Sequence, residues 1–140
     1  MEPTTILNII LAITVVSYLF DQILDYVNLK AQRTEIPLEV EAFYEKDKYL
    51  KSLAYHRELA RFSFVTAGFS FVLSMFMLLS GGFGWIDAWL RPYFDNTIIL
   101  SLMFFGVMVL ASDLLTIPFQ WYSTFVIEEK YGFNKTTSKT

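Results

Sequence analysis

What constrains this chain most is where charge is absent. No charged residue occurs in the 18 positions 3–20, the 25 positions 62–86 or the 17 positions 96–112. After the lone Asp113, another 14 uncharged positions run from 114 to 127. A bilayer's hydrocarbon core of about 30 Å needs roughly 20 helical residues to cross it. A soluble helix of that length would be broken every three or four residues by a polar face. These runs predict three transmembrane helices, at about 5–24, 61–79 and 97–118, and hence an all-α membrane protein.

Composition agrees. The hydrophobic set makes up 54% and charged residues only 18% of 140 positions, against about 45–50% and about 25% for soluble domains. So apolar a chain does not stay disordered. With 11 Lys and Arg against 14 Asp and Glu, the net charge of −3 leaves no electrostatic footprint for nucleic acid. There is no cysteine and one histidine, so neither a disulfide framework nor a thiolate or His-rich metal site is expected.

A secretory signal peptide would begin with a basic segment and end at a small-residue cleavage site. This N-terminus carries Glu2, and Phe20 is followed by Asp21-Gln22, so the first run reads as an uncleaved span. Lys and Arg set orientation. Along the N-terminal tail, the two connections and the C-terminal tail they number 0, 7, 1 and 3, the seven being Lys30, Arg33, Lys46, Lys48, Lys51, Arg57 and Arg61. That alternation places the N-terminus outside or in the lumen. It puts the loop 25–60 and the tail 128–140 in the cytoplasm.

The second half of that loop reads as helix. Asp47 and Lys51 stand at a supporting i,i+4 spacing, and no Gly or Pro separates them from the second span. Residues 45–79 are therefore expected to form one helix with a long cytoplasmic extension. Pro37, with Glu39 and Glu41 after it, suits the start of a separate short helix. Thr66, Ser70 and Ser74 repeat at i+4, a small face that lets a neighbouring helix come close. Ser80-Gly81-Gly82 is a helix stop. Trp85, Trp89 and Tyr93 then mark a short interfacial helix. Pro118 predicts a kink, and Gly132 a helix cap.

Catalytic motifs are sparse. His56 has Ala60 four residues on, so the second imidazole of a His-Glu-x-x-His zinc helix is missing, and His56 reads as an interfacial helix residue. Asp113 is the one charge well inside a span; such acids mark function or a buried partner, and Arg57 or Arg61 is its expected partner. Asn134-Lys135-Thr136 matches a glycosylation acceptor, but on the cytoplasmic side it would not be used.

The segment Phe125-Val126-Ile127-Glu128-Glu129-Lys130-Tyr131-Gly132-Phe133-Asn134-Lys135-Thr136-Thr137, led by Ile117-Pro118-Phe119-Gln120-Trp121-Tyr122, resembles a signature of the CAAX prenyl protease type 1 family. There a Pro-containing helix runs into Phe-x-Ile-Glu-Glu-x-Phe/Tyr-Gly-Phe-Asn-x-x-Thr. Tyr49-Leu50-Lys51-Ser52-Leu53-Ala54-Tyr55 and Phe62-Ser63-Phe64 are similar to the family's loop before its second span. The resemblance implies an integral-membrane zinc metalloendopeptidase, a seven-helix bundle around a large chamber, in the bacterial inner membrane or the endoplasmic reticulum. Its substrates would be prenylated or other membrane-associated polypeptides.

The family's His-Glu-x-x-His helix and third-ligand glutamate lie after the Gly-Phe-Asn motif. The resemblance therefore carries no catalytic or metal-binding residue onto this chain and leaves substrate-binding residues unknown. Zinc is expected in the full-length enzyme and none on these residues. The chain would be the N-terminal membrane domain, with the bilayer, a downstream catalytic domain and, in the whole enzyme, a polypeptide substrate as partners. The signature at 128–136 would brace that catalytic domain. Two other readings compete: a non-enzymatic three-span subunit that packs through Thr66, Ser70 and Ser74, and a dimerising half-transporter with Asp113 as its ion site. A His-Glu-x-x-His within about a hundred residues after Thr140 in the parent gene decides for the first.

Overall fold

The structure is a computed structural model, and it describes residues 2–32 and 45–134. The short helix expected after Pro37 and the residues beyond Asn134 lie outside that description. The described chain is helical: α1 (Pro3–Ala31), α2 (Lys46–Leu79), α3 (Gly82–Leu90) and α4 (Thr97–Tyr122), the last continuing as a π-helical segment, Ser123–Glu128. Three of these helices, Pro3–Ala31, Lys46–Leu79 and Thr97–Glu128, are long and apolar enough to cross a membrane.

The helices follow from their sequences. α1 starts with Pro3 in its first turn, where the missing N–H costs nothing. It runs on to Ala31, past the expected end at 24, because 25–31 hold neither Gly nor Pro. The loop expected at 25–60 therefore gives up seven residues to α1. It gives up fifteen more, 46–60, to α2, which starts one residue from the expected Glu45. Of the charge pairs near that start, the one formed is Lys48 with Glu45 at 3.0 Å, rather than Asp47 with Lys51.

α2 ends where expected. Gly81 takes φ +71° and closes α2 while opening α3. α3 carries Trp85 and Trp89, with Trp89 and Tyr93 rings 6.2 Å apart. α4 is capped by Asn96, whose side-chain oxygen accepts from the backbone N–H groups of Ile98 and Ile99. Pro118, read as a kink, lies inside it. The helix passes through that proline and widens to the π form five residues later, where six residues share wider turns.

Packing is by rings and small residues, with little core. Tyr18 of α1 stacks on Phe71 of α2 at 4.1 Å, over Gly68. Phe62 and Phe69 of α2 meet Phe119 of α4 at 6.2 and 5.0 Å, and Phe62 meets Tyr122 at 4.9 Å. Such ring pairs contribute about 0.5–1.5 kcal/mol each beyond burial. Among the described residues only Leu90, Leu100 and Ile127 are buried apolar side chains. Ile13, Val16, Phe20, Leu102 and Leu114 stand 60–68% exposed, as surfaces turned to hydrocarbon or to other helices do.

Gly81 isolates a backbone effect, because a Cβ there meets nothing within 4 Å. Gly81→Ala is expected to destabilise by about 1–2 kcal/mol through its left-handed φ alone. A thermal-unfolding midpoint in detergent equal to that of the parent would show that the turn is not held in this conformation.

Candidate functional site: a polar clamp and the clefts beside it

The end at which α1 finishes, α2 begins and α4 finishes holds all the described basic residues but Arg91, and there the described part of the signature segment folds back on α2. Ile127, 1% exposed, anchors it. The helical run stops in a two-bond turn: Phe133 N–H donates to the Glu128 carbonyl at 2.9 Å and Gly132 N–H to that of Glu129 at 2.9 Å. Gly132 sits at φ +67°, the left-handed conformation this cap needs. The cap expected from sequence thus turns the chain just after Lys130 and Tyr131 and aims Phe133 back at α2.

Those side chains meet α2. Lys130 Nζ donates to Glu58 Oε2 at 2.6 Å and Tyr131 Oη donates to the same oxygen at 2.7 Å. The Tyr55 ring packs edge-on to Tyr131 at 5.7 Å and tilted to Phe133 at 4.8 Å. The hydrogen bond from Lys130, then that from Tyr131, holds the Glu58 carboxyl below its ordinary value. The same contacts raise Lys130 and the Tyr131 phenol. Sequence reasoning missed Glu58: it lies 72 residues from Lys130, and nothing local marks it as a partner.

Nor does α2 use its basic residues as expected. Arg57 donates to the Gln32 carbonyl at 3.3 Å, tying the end of α1 to α2. Asp113 meets neither Arg57 nor Arg61. Phe62 packs level with Phe119 and Tyr122, and Asp113 lies nine residues before Tyr122, about 13 Å back along α4. The carboxylate therefore stands exposed a full two turns away from the arginines.

The small face is also placed differently. α1 makes its close approach beside Gly68, while Thr66, Ser70 and Ser74 line open clefts between α2 and α4. One, about 340 Å³, adds Ser63, Thr116, Gln120 and Ser123; the other, also about 340 Å³, adds Ser112 and Met108. The bulky Phe62–Phe119 and Phe69–Phe119 contacts hold the two helices apart, so their hydroxyls face a gap. His56 is exposed on α2 beside Tyr55. Among the described residues no three His, Cys, Asp or Glu side chains come together to hold a metal, so these residues do not fit a zinc ion.

A family model described as "CAAX prenyl protease N-terminal, five membrane helices" matches residues 25–140. The chain belongs to the CAAX prenyl protease type 1 family. Among its relatives, the "Probable CAAX prenyl protease 1" of Schizosaccharomyces pombe is 36% identical over 108 residues, covering 68% of this chain and 23% of the relative. The "CAAX prenyl protease 1 homolog" of Mus musculus is 36% identical over 113 residues, covering 74% and 23%. The crystal structure of S. mikatae Ste24p superposes with a TM-score of 0.83 at 27% identity, over 95% of this chain and 32% of that one. The chain thus spans about a quarter to a third of these proteins and corresponds to the N-terminal membrane region of the family. It is a multi-pass integral membrane protein, and the signature that suggested the family is the clamp described above.

The clamp has a pH window. A carboxyl held low stabilises fully above its ordinary value, about 4.3, and loses this as pH falls through the lowered value. A raised lysine stabilises fully below about 10.4 and loses this as pH rises through the raised value. Glu58→Gln should therefore lower the unfolding midpoint at pH 7, and the gap to the parent should close below pH 4. An equal gap at pH 3 and pH 7 would mean that charge is not what holds the clamp.

Proposed function

We propose that this chain is the membrane-embedded scaffold of a zinc metalloendopeptidase that processes prenylated, CAAX-type or other membrane-associated polypeptides. The observation that carries the reading is the clamp. Lys130, Tyr131 and Phe133 of the family signature lock onto Glu58 and Tyr55 of α2, in a chain whose relatives bear the name CAAX prenyl protease 1. A rigid connection between two helices at the basic end positions whatever follows the signature.

The chain's own residues supply scaffold and cleft rather than chemistry. No step is assigned to zinc here, since the described residues hold no ligand set for it; its ligands belong to the catalytic part of the full-length protein. The hydroxyl-lined clefts between α2 and α4 provide polar groups inside an apolar layer, suited to a peptide backbone entering beside a lipid chain. The basic tally supports a cytoplasmic placement of the clamp and a luminal N-terminus, in the endoplasmic reticulum or a bacterial inner membrane. The exposed Glu129 side chain then faces the catalytic domain that the signature braces.

The test uses the full-length protein in proteoliposomes with a farnesylated CAAX peptide. Glu58→Ala is expected to cut turnover roughly tenfold to a hundredfold, the scale of a small misplacement remote from the chemistry, while bound zinc stays at the parent level. Unchanged turnover would remove the bracing role. A zinc-loaded parent that leaves the peptide intact would overturn the peptidase reading itself.

A further inference from the structure

Beside the clamp is a third cleft, of about 530 Å³, in which cations from two helices converge. Arg57 and Arg61 line it from α2, and Lys130 lines it from the end of the signature helix. Among the described residues Glu58 is the one acid in its lining, already engaged by Lys130 and Tyr131 through a single oxygen. Three positive charges thus face one negative. Among the described residues Arg57 donates to nothing but a backbone carbonyl, and Arg61 forms no ion pair. Leu50, Leu53 and Ala54 line its outer side.

The level of this cleft matters as much as its charge. Arg61 is the last charge before 25 uncharged positions, and Lys130 is the first cation after Ile127. The cleft therefore lies where two apolar runs end, at the depth where hydrocarbon gives way to headgroups. On the α2 stripe that continues inward from Arg61, at i+4 and i+11, Val65 and Val72 stand 60% and 65% exposed. A cationic pocket thus opens onto an uncovered apolar track. That combination suits a ligand with an anionic head and a hydrocarbon tail, and the track distinguishes it from a soluble anion or a peptide carboxylate.

We infer that this cleft is a binding site for an anionic phospholipid. Arg57 and Arg61 hold the phosphate, Lys130 adds to the field, and an acyl chain lies along Val65 and Val72. Basic pockets between membrane helices take lipid headgroups in this way. The inference needs the helices to span the bilayer but not the peptidase activity, and its test involves no turnover.

The full-length protein in neutral detergent is titrated with phosphatidic acid or phosphatidylcholine, and retained lipid is read by native mass spectrometry. Phosphatidic acid should be retained at least about tenfold better. Arg57→Gln with Arg61→Gln should weaken it roughly thirtyfold, the scale of two interfacial cations. Lys46→Gln with Lys48→Gln removes the same charge outside the lining and should leave binding within about twofold. Arg57→Lys with Arg61→Lys keeps the charge and should retain most of the affinity, even if the glutamine pair fails to fold. No preference for phosphatidic acid in the parent, or an equal loss from the outer lysine pair, overturns the site. Displacement by inorganic phosphate, or by a prenylated peptide with a free carboxylate, at lipid-like concentrations would assign the cleft to that ligand and overturn the lipid.

Discussion

Hydrocarbon offers a polypeptide backbone no hydrogen-bond partner, so every N–H and C=O in a long apolar run must find one within the chain. That constraint makes the candidate spans Pro3–Ala31, Lys46–Leu79 and Thr97–Glu128 helical. It also explains why Pro118 does not end α4: stopping there would strand more backbone groups than passing through strands. The chain keeps its helix through Pro118 and widens to a π-helical segment at Ser123–Glu128. Because the solvent is apolar, the three long helices gain little from hiding side chains from it. They are joined instead by ring contacts, by close approach at Gly68 and by one polar clamp.

The clamp gives the family signature a physical meaning. Gly132 is required because its left-handed backbone lets Phe133 reach back to the Glu128 carbonyl. With the turn made, Lys130 and Tyr131 converge on one oxygen of Glu58, and Phe133 lies on Tyr55. Apolar contacts between membrane helices allow sliding, whereas two hydrogen bonds to a carboxylate fix rotation and height together. The π segment immediately before it sets the angle at which the signature arrives.

Much of this was legible in the residues. The number of long helices, the single helix over the second span and its extension, the stop at Gly81 and the cap at Gly132 all rest on local rules of backbone hydrogen bonding and φ. The family likewise followed from Glu-Glu-Lys-Tyr-Gly-Phe-Asn. What local rules misplaced were relations between helices. Asp113 was matched to Arg57 and Arg61 by charge, yet the Phe62–Tyr122 contact sets the helices in a register that leaves them two turns apart. Thr66, Ser70 and Ser74 were read as a surface for a close neighbour, yet the rings of Phe62, Phe69 and Phe119 prop that neighbour away. Ends drifted for a simpler reason: charge marks where hydrocarbon stops, not where a helix does, so α1 continues to Ala31.

The sequence by itself determined that this is a multi-pass helical membrane protein of a particular family, because hydrocarbon thickness and backbone satisfaction act on runs of neighbouring residues. Tertiary structure alone decided that Glu58 is the partner of Lys130 and Tyr131, that the hydroxyl stripe lines clefts, and that three cations gather beside the clamp. Those facts depend on how helices 72 residues apart are rotated and raised against each other. Bulky rings at a few crossing points set that geometry, and no periodicity along the chain encodes it.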